Sequence, residues 1–264
     1  MRGPMTRLFR TFLVFLLLLS ARTAYAQPSE YEAELREDSS YSLHQNSAIP
    51  FNALKKQSFS APRQPVSSLN ALYKQAPLAQ NELHSLLSQI ANQSETELQL
   101  AKVKERQRAE AKVAHKLNNN PAALTDLVRA TLIADNLDDL QLAFDTLNQQ
   151  ADVLQVKDRF AQPKASGYRD INLLLQLPKS GLIAEVQLHL REIAAIKNGA
   201  EHQVYEEVQA MEHKAAREQR PLSELELARI QKLRQESHKL YHKAWLGYKR
   251  QQTQTLGIKN TIVA

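Results

Sequence analysis

From Pro4 to Ser166 the chain contains no glycine, and the whole sequence of 264 residues holds only six. Phosphate-cradling turns of the P-loop or G-x-G-x-x-G kind need several glycines just after an early strand, because the backbone must approach the phosphate closely. Both nucleotide-binding fingerprints are therefore excluded. Cysteine is absent altogether, which removes structural disulfides, cysteine-ligated zinc, iron–sulfur clusters and thiol nucleophiles. With 43% apolar and 23% charged residues the chain is otherwise of ordinary globular composition, about one domain by length with an appendage.

The formal charge of +6 is concentrated at the start of the chain. Arg2, Arg7, Arg10 and Arg22 all fall in the first 26 residues, which carry no acid, so only +2 belongs to the rest. A surplus that small does not point to duplex DNA as a partner. Arg2, Arg7 and Arg10 precede an apolar run from Thr11 to Leu19, and Ala24-Tyr25-Ala26 supplies a small-x-small cleavage pattern. The run is about half of the ~20 residues a membrane span needs, so residues 1–26 read as a secretory signal peptide. The expected product is exported, to the periplasm or beyond, with no membrane span in the mature chain.

Residues 27–66 are rich in Ser, Gln and Pro and lack a steady period, which predicts an extended or disordered leader. Helical periodicity starts at Ser67 and is clearest over Glu82–Leu117, whose second half, Lys102–Lys116, is strongly basic. Leu124–Ala134 reads as a strand, Asn136–Ala151 as a helix and Val153–Phe160 as a short strand. Arg169–Leu177 and Leu182–Leu190 read as two strands joined by Pro178-Lys179-Ser180-Gly181. Helices are expected over Arg191–Glu218 and Ser223–Tyr248, the second opened by a Ser223/Glu226 capping box, with 249–264 as a tail. The class is α+β, a mixed sheet flanked by helices over 67–248 with a helical C-terminal part. No internal repeat is visible.

Asp126 falls early in the first expected strand. A charge in so apolar a run must be paired, exposed or bound to a metal. Alternation places Glu185, Gln187 and His189 on one face of the last strand, opposite Val186 and Leu188. Lys157, Asp158, Arg159, Lys164, Tyr168 and Arg169 surround the loop between them. Two carboxylates ringed by cations and one aromatic suit a magnesium–nucleotide site.

The run Lys157-Asp158, Pro163-Lys164, Gly167-Tyr168-Arg169, followed by Glu185-Val186-Gln187-Leu188, resembles the synthetase domain of the RelA/SpoT family. Asp126-Leu127-Val128-Arg129 resembles that family's first acidic strand motif. Lys104, Arg108 and Lys112, spaced four apart, resemble its upstream basic ATP-binding segment. The resemblance spans about 100–200, and helical flanks extend it to 70–248. It implies a nucleotidyltransferase-like fold and an ATP-dependent pyrophosphokinase that moves pyrophosphate to the ribose 3′-hydroxyl of GDP or GTP, making (p)ppGpp. By the same resemblance Asp126 and Glu185 hold Mg2+, with Glu185 also activating the hydroxyl. Lys104, Arg108, Lys112 and Arg129 grip ATP. Tyr168 stacks on the acceptor base, and Lys157, Lys164, Arg169, Gln187 and His189 line the acceptor site. There are departures: Arg129-Ala130-Thr131 stands for a Gly-x-Arg, Asp170-Ile171-Asn172 for Ser-Leu-His, and His189 for a frequent Arg. No His-Asp dipeptide occurs, so the family's hydrolase domain has no counterpart here.

Each residue alone has a plainer reading. The basic segment is usually a solvated helix face, Glu185 a structural acid paired with Arg129, Tyr168 a strand-entry aromatic, and Trp245 part of a helical lid. Their joint order carries the functional reading. Three functions remain open: a guanosine pyrophosphokinase, the same fold acting on an adenine nucleotide or a tRNA 3′ end as a secreted toxin with an immunity protein as partner, and an inactive periplasmic interaction protein.

Overall fold

The computed structural model describes residues 61–262. The expected signal peptide and the leader up to residue 60 lie outside the described residues, as do 263 and 264. Two compact units divide the chain: Met211–Ser223 with Met1–Asn46, and Ser47–Ala210 with Glu224–Ala264. The described part of the first is the end of a helix, which stops where Gln219 takes a φ of 51° and the Arg220 N–H closes on the Ala215 carbonyl at 3.1 Å. The second unit holds the sheet.

Helix α1 runs from Leu69 to Gln93 because Leu72, Ala76, Ala79, Leu83, Leu87 and Ile90 recur at three- and four-residue steps and are all buried. It ends earlier than the periodicity suggested. Glu95 turns the chain with a φ of 52°, and Glu97–Leu100 forms strand β1 instead of continuing the helix. The alternation Glu97-Leu98-Gln99-Leu100 has the period of a strand. It is only four residues long and sits at a sheet edge with much of its surface exposed, so its apolar signal merged with the helical one. Helix α2, Arg106–Lys116, then precedes a short 3-10 turn at Pro121–Ala123.

Strand β2 is Arg129–Ala134, shorter at its start than the expected run from Leu124. Helix α3, Leu137–Gln150, is capped by Asn136, whose side-chain oxygen accepts the Asp139 N–H at 2.9 Å. Strands β3 (Asp152–Asp158), β4 (Ile171–Gln176) and β5 (Ile183–Leu190) follow. The turn between β4 and β5 requires Gly181 at a φ of 68°, and Glu82 of α1 accepts the Lys179 and Ser180 N–H groups at 2.6 and 3.0 Å. The expected helix over Arg191–Glu218 is broken at Gly199 into α4, Arg191–Asn198, and α5, Ala200–Arg217. Helix α6, Glu224–Ile262, continues well past Tyr248. Among the described residues no helix is long and apolar enough to cross a membrane.

The sheet order is β1-β2-β5-β4-β3, with β2 and β5 parallel and every other neighbouring pair antiparallel. Leu132, Leu173, Leu175, Val186 and Leu188 are fully buried on one face, and α1 and α3 pack there to close the main core. The opposite face is polar. Gln99, Thr131, Gln187, Asn172 and Lys157 are register partners in one row across all five strands. Register partners project from the same face, so this row is the floor on which the site is built.

Candidate functional site

Asp126 and Glu185 meet at the N-terminal ends of the parallel pair. Glu185 is the third residue of β5, and its register partner on β2 is Arg129. Asp126 is not in a strand, as its run of apolar neighbours suggested, but in the turn three residues before β2. Turns at strand ends are where a charge can face outward without interrupting a ladder. Burial pushes the Glu185 carboxyl above its ordinary range, and the negative charge of Asp126 pushes it further, so the two carboxylates face each other electrostatically. The Asn172 amide hydrogen-bonds Glu185 and partly offsets that shift.

Two cations hold Asp126. Lys104 Nζ lies 3.0 Å and Lys112 Nζ 2.9 Å from its Oδ2. Burial pushes the Asp126 carboxyl up, but the two ammonium groups outweigh burial and keep it below the usual range. Burial also pushes Lys104 down against the pull of Asp126. Lys104 precedes α2 instead of sharing its helix face with Arg108 and Lys112, and its backbone carbonyl accepts the Tyr73 hydroxyl at 2.5 Å. Arg108 is on α2 and exposed.

Two atoms here are buried and without a hydrogen-bond partner, Asp126 Oδ1 and Arg129 Nε. A buried acceptor and a buried donor left without partners require an explanation, because such atoms cost roughly 1–3 kcal/mol each when unmade. The chemistry fits a magnesium ion and a phosphate. Carboxylate oxygens are hard donors, and Mg2+ takes one or two of them and completes its shell with water and substrate phosphates. Among the described residues no group of three or more His, Asp or Glu that could hold a metal ion gathers.

Lys197 of α4 was not singled out from the sequence, where it falls in an unremarkable helical stretch. Its Nζ donates to Gln187 Oε1 at 2.9 Å, over the polar row. Burial pushes its pKa down, while Asp170 and Glu185 pull it up. Lys157 lies in the same polar row, beside Asn172. The signal that would have found Lys197 is its spacing, 12 residues beyond Glu185, which returns a short helix over the strand it follows.

Tyr168 and His189 differ most from expectation. Tyr168 is 8% exposed and His189 2%, so neither ring is open to a nucleotide here. Tyr168 donates its hydroxyl to Asp170 Oδ2 at 2.8 Å, and the same hydroxyl meets His189 Nε2 at 2.5 Å. The single phenolic proton goes to the carboxylate, so Nε2 must carry the imidazole proton and donate it to the hydroxyl. Arg159 Nη1 donates to Asp170 Oδ1 at 2.7 Å. Burial would raise the Asp170 carboxyl, but the His189 ring and the Arg159 guanidinium hold it at about 2. Burial lowers the His189 pKa. These residues form a buried polar knot that ties the loop 159–170 to β5.

The rest of the loop is pinned to α6. Arg169 donates to the Phe160 carbonyl at 2.6 Å, and its guanidinium lies 5.1 Å from the Trp245 ring centroid. Phe160 packs on Trp245 at 5.3 Å and Tyr168 on Tyr241 at 5.6 Å between centroids. Lys164 closes the loop on itself, its N–H reaching the Tyr168 carbonyl at 3.2 Å and its carbonyl accepting the Gly167 N–H at 2.7 Å. The geometry therefore gathers Asp126, Glu185, Lys104, Lys112, Arg129 and Lys197, and Lys197 Nζ, 5.7 Å from the Tyr168 ring centroid, joins this group to the buried pair Tyr168 and His189.

No family model matches the chain, and no curated protein is similar to it. Among solved structures, the Type VI effector Tas1, crystallised in complex with its immunity protein, aligns at a TM-score of 0.50 with 22% identity over 66% of this chain and 94% of that one. The fold is RelA/SpoT-synthetase-like. The small alarmone synthetase 1 of Bacillus subtilis, bound to its product pppGpp, aligns at 0.49 with 19% identity, covering 69% of this chain and 97% of that one. A GTP pyrophosphokinase family protein of Streptococcus pneumoniae aligns at 0.47 with 18% identity over 71% and 93%. The synthetase-like α+β architecture read from the motifs thus stands, with one more strand than the sequence revealed.

Proposed function

We propose that this chain is an exported, ATP-dependent nucleotide pyrophosphokinase. The observation that carries the reading is the meeting of Asp126 and Glu185 under four cations, Lys104, Lys112, Arg129 and Lys197, with Asp126 Oδ1 and Arg129 Nε left unpartnered. In the proposed reaction the acceptor 3′-oxygen bonds to the β-phosphorus of ATP. The bond from that phosphorus to the α,β-bridging oxygen breaks, AMP leaves with the bridging oxygen, and the hydroxyl proton passes to the Glu185 carboxylate. Mg2+, held by Asp126 and Glu185, would supply charge neutralisation on the transferred phosphates. Lys104, Lys112, Arg108 and Arg129 would hold the donor phosphates. Lys197, Lys157, Lys164, Arg169 and Gln187 would hold the acceptor. Such a transfer needs little beyond positioning and electrostatic stabilisation.

GDP or GTP is the first acceptor to test, giving (p)ppGpp. A second reading keeps the site and changes the acceptor to an adenine nucleotide or a tRNA 3′ end; with Tyr168 buried, no stacking contact selects guanine. The expected signal peptide, together with a shared fold in an effector that has an immunity protein, supports a toxin delivered outside its own cytoplasm and a protein partner that neutralises it.

The test is incubation of the chain from residue 27 with Mg2+, γ-labelled ATP and, separately, GDP, GTP, AMP and tRNA. Label on a guanosine nucleotide supports the first reading and label on AMP or tRNA the second. No transfer to any of them overturns both. Asp126→Asn and Glu185→Gln are each expected to lower the rate by about 100-fold or more, as loss of a single preorganised electrostatic group does elsewhere. Full activity in either would remove the carboxylate pair from the reaction.

A further inference from the structure

We infer that Gln64 is a positioning residue that sets the distance between the two carboxylates, an inference that rests on the metal-holding role proposed above. Gln64 falls in the stretch read from the sequence as a loose leader, yet it is 5% exposed. Its Nε2 donates to the Leu124 carbonyl at 2.9 Å and to the Ile183 carbonyl at 3.0 Å. Its Oε1 accepts the Ile183 N–H at 2.9 Å, and its own backbone N–H donates to the Ala122 carbonyl at 2.7 Å. Both amide hydrogens and the amide oxygen are thus used, and the flipped amide would oppose oxygen to two carbonyls and nitrogen to an N–H.

The positions bridged are what give this contact a function. Leu124 stands two residues before Asp126, and Ile183 two residues before Glu185. Glu185 lies in a rigid strand paired on both sides. Asp126 lies in an irregular turn that is tied after Asp126 by the Lys104 N–H to the Leu127 carbonyl at 3.0 Å and by the Glu185 N–H to the Val128 carbonyl at 3.1 Å. Before Asp126 the tie is Gln64: one side chain bonded to both segments, 60 residues from one and 119 from the other, which completes the bracket around the carboxylate. A metal held by two carboxylates is sensitive to such supports, whose loss costs about 10–100-fold in metal affinity in other proteins.

The experiment measures Mn2+ binding to the chain from residue 27 by the loss of the free-ion electron paramagnetic resonance signal, without nucleotide. Thermal unfolding and transferase kinetics are recorded on the same samples. Gln64→Met removes every side-chain bond at similar volume. Gln64→Glu keeps the acceptor for Ile183 N–H and sets oxygen against the two carbonyls. Gln150→Met is the control, deleting one glutamine side-chain bond, from Nε2 to Gln93 Oε1 at 2.9 Å, at the C-terminal ends of α3 and α1. Both Gln64 variants are expected to weaken Mn2+ binding by about ten-fold and to lower kcat, while Gln150→Met binds as the parent does. A purely structural strap would lower the unfolding midpoint and leave the Mn2+ affinity of the folded protein unchanged. That result overturns the inference alone, as does loss of folding in both Gln64 variants. Absence of Mn2+ binding by the parent chain without nucleotide overturns this inference, while the metal reading itself falls if transfer proceeds equally well with the divalent ions chelated.

Discussion

Replacing Asp170 by asparagine tests whether the buried knot beneath the site is held by a charge. The Asp170 side chain is fully buried, with one oxygen on Arg159 and the other on Tyr168. Its carboxyl titrates at about 2 instead of 3.8. That difference corresponds to roughly 2 kcal/mol in favour of the ionised form. Asparagine offers one oxygen where two are used, so its amide nitrogen confronts either the Arg159 or the Tyr168 donor. Arg159 also keeps only 15% side-chain exposure in which to rehydrate. A destabilisation of about 3 kcal/mol follows, within the range for breaking a buried ion pair. With an m-value of about 2 kcal/mol/M it appears as a fall of about 1.5 M in the urea midpoint at pH 7. The pH dependence has a definite sign. Asp170 is depressed in the folded state, so its contribution is full above 3.8 and is lost as pH falls from there towards about 2. His189 is also depressed, so the unfolded chain takes up its proton first and stability is lost as pH falls below 6.5. Without Asp170 the His189 pKa falls further, because Asp170 is what supports it. The gap between parent and variant therefore widens as pH falls below 6.5 and narrows as pH falls from 3.8 towards about 2. Urea unfolding followed by circular dichroism at neutral pH, between the two windows and at the acid end reads this directly. Equal midpoints at pH 7, or a gap that does not vary with pH, would refute the reasoning.

Lys197→Met should raise the KM for the acceptor by about ten-fold, the equivalent of one lost charged contact of 1.4 kcal/mol, and leave the KM for ATP nearly unchanged; initial rates with each nucleotide varied in turn decide it, and an unchanged acceptor KM removes Lys197 from that subsite. Gly167→Ala should destabilise the protein by more than about 1 kcal/mol, since Gly167 has a φ of 81° and an added Cβ would lie 3.0 Å from the His238 backbone; a thermal midpoint equal to the parent's would show that the loop relaxes freely.

Residues whose chemistry is local were legible in the sequence, and residues whose role depends on distant partners were not. Glu185 could be placed because alternation along β5 fixes the face opposite Val186 and Leu188, the face that carries the row of Thr131, Gln187, Asn172 and Lys157. Asp126 stands out as a candidate by its apolar context but was misplaced into a strand, because a strand and a buried turn leading into it share one apolar run. Tyr168 was recognised by type, yet burial belongs to the fold. It is α6, some 73 residues later, whose Tyr241 and Trp245 close over the loop. Gln64 carries no local signal, since a glutamine among serines and prolines becomes a structural part only when residues 60 and 119 positions away arrive beside it. The length of α6 was missed for a different reason: beyond Tyr248 the sequence is too poor in apolar residues to show a period, and a helix can continue on propensity without one.

Charge bookkeeping ties the observed geometry to the proposed chemistry. Asp126 and Glu185 face Lys104, Lys112, Arg129 and Lys197, so the named groups carry a surplus of two positive charges. A magnesium-bound nucleoside triphosphate brings about two negative charges, and the metal neutralises part of the phosphate charge at the point of transfer. Lys104 and Lys112 occupy only one oxygen of Asp126 and leave the other bare. On the proposed reading, binding needs no carboxylate to be created or unburied: the bare oxygen takes the ion, and the lysine charges, already within 3.0 Å of that carboxylate, turn to the phosphates that the ion brings. A site built this way stays ordered when empty, because the cations that will serve the substrate meanwhile satisfy the acid. It also explains why burial lowers the pKa of Lys104 without removing its partner: a lysine held for a phosphate must be partly dehydrated beforehand, and Asp126 is the anion that makes this tolerable.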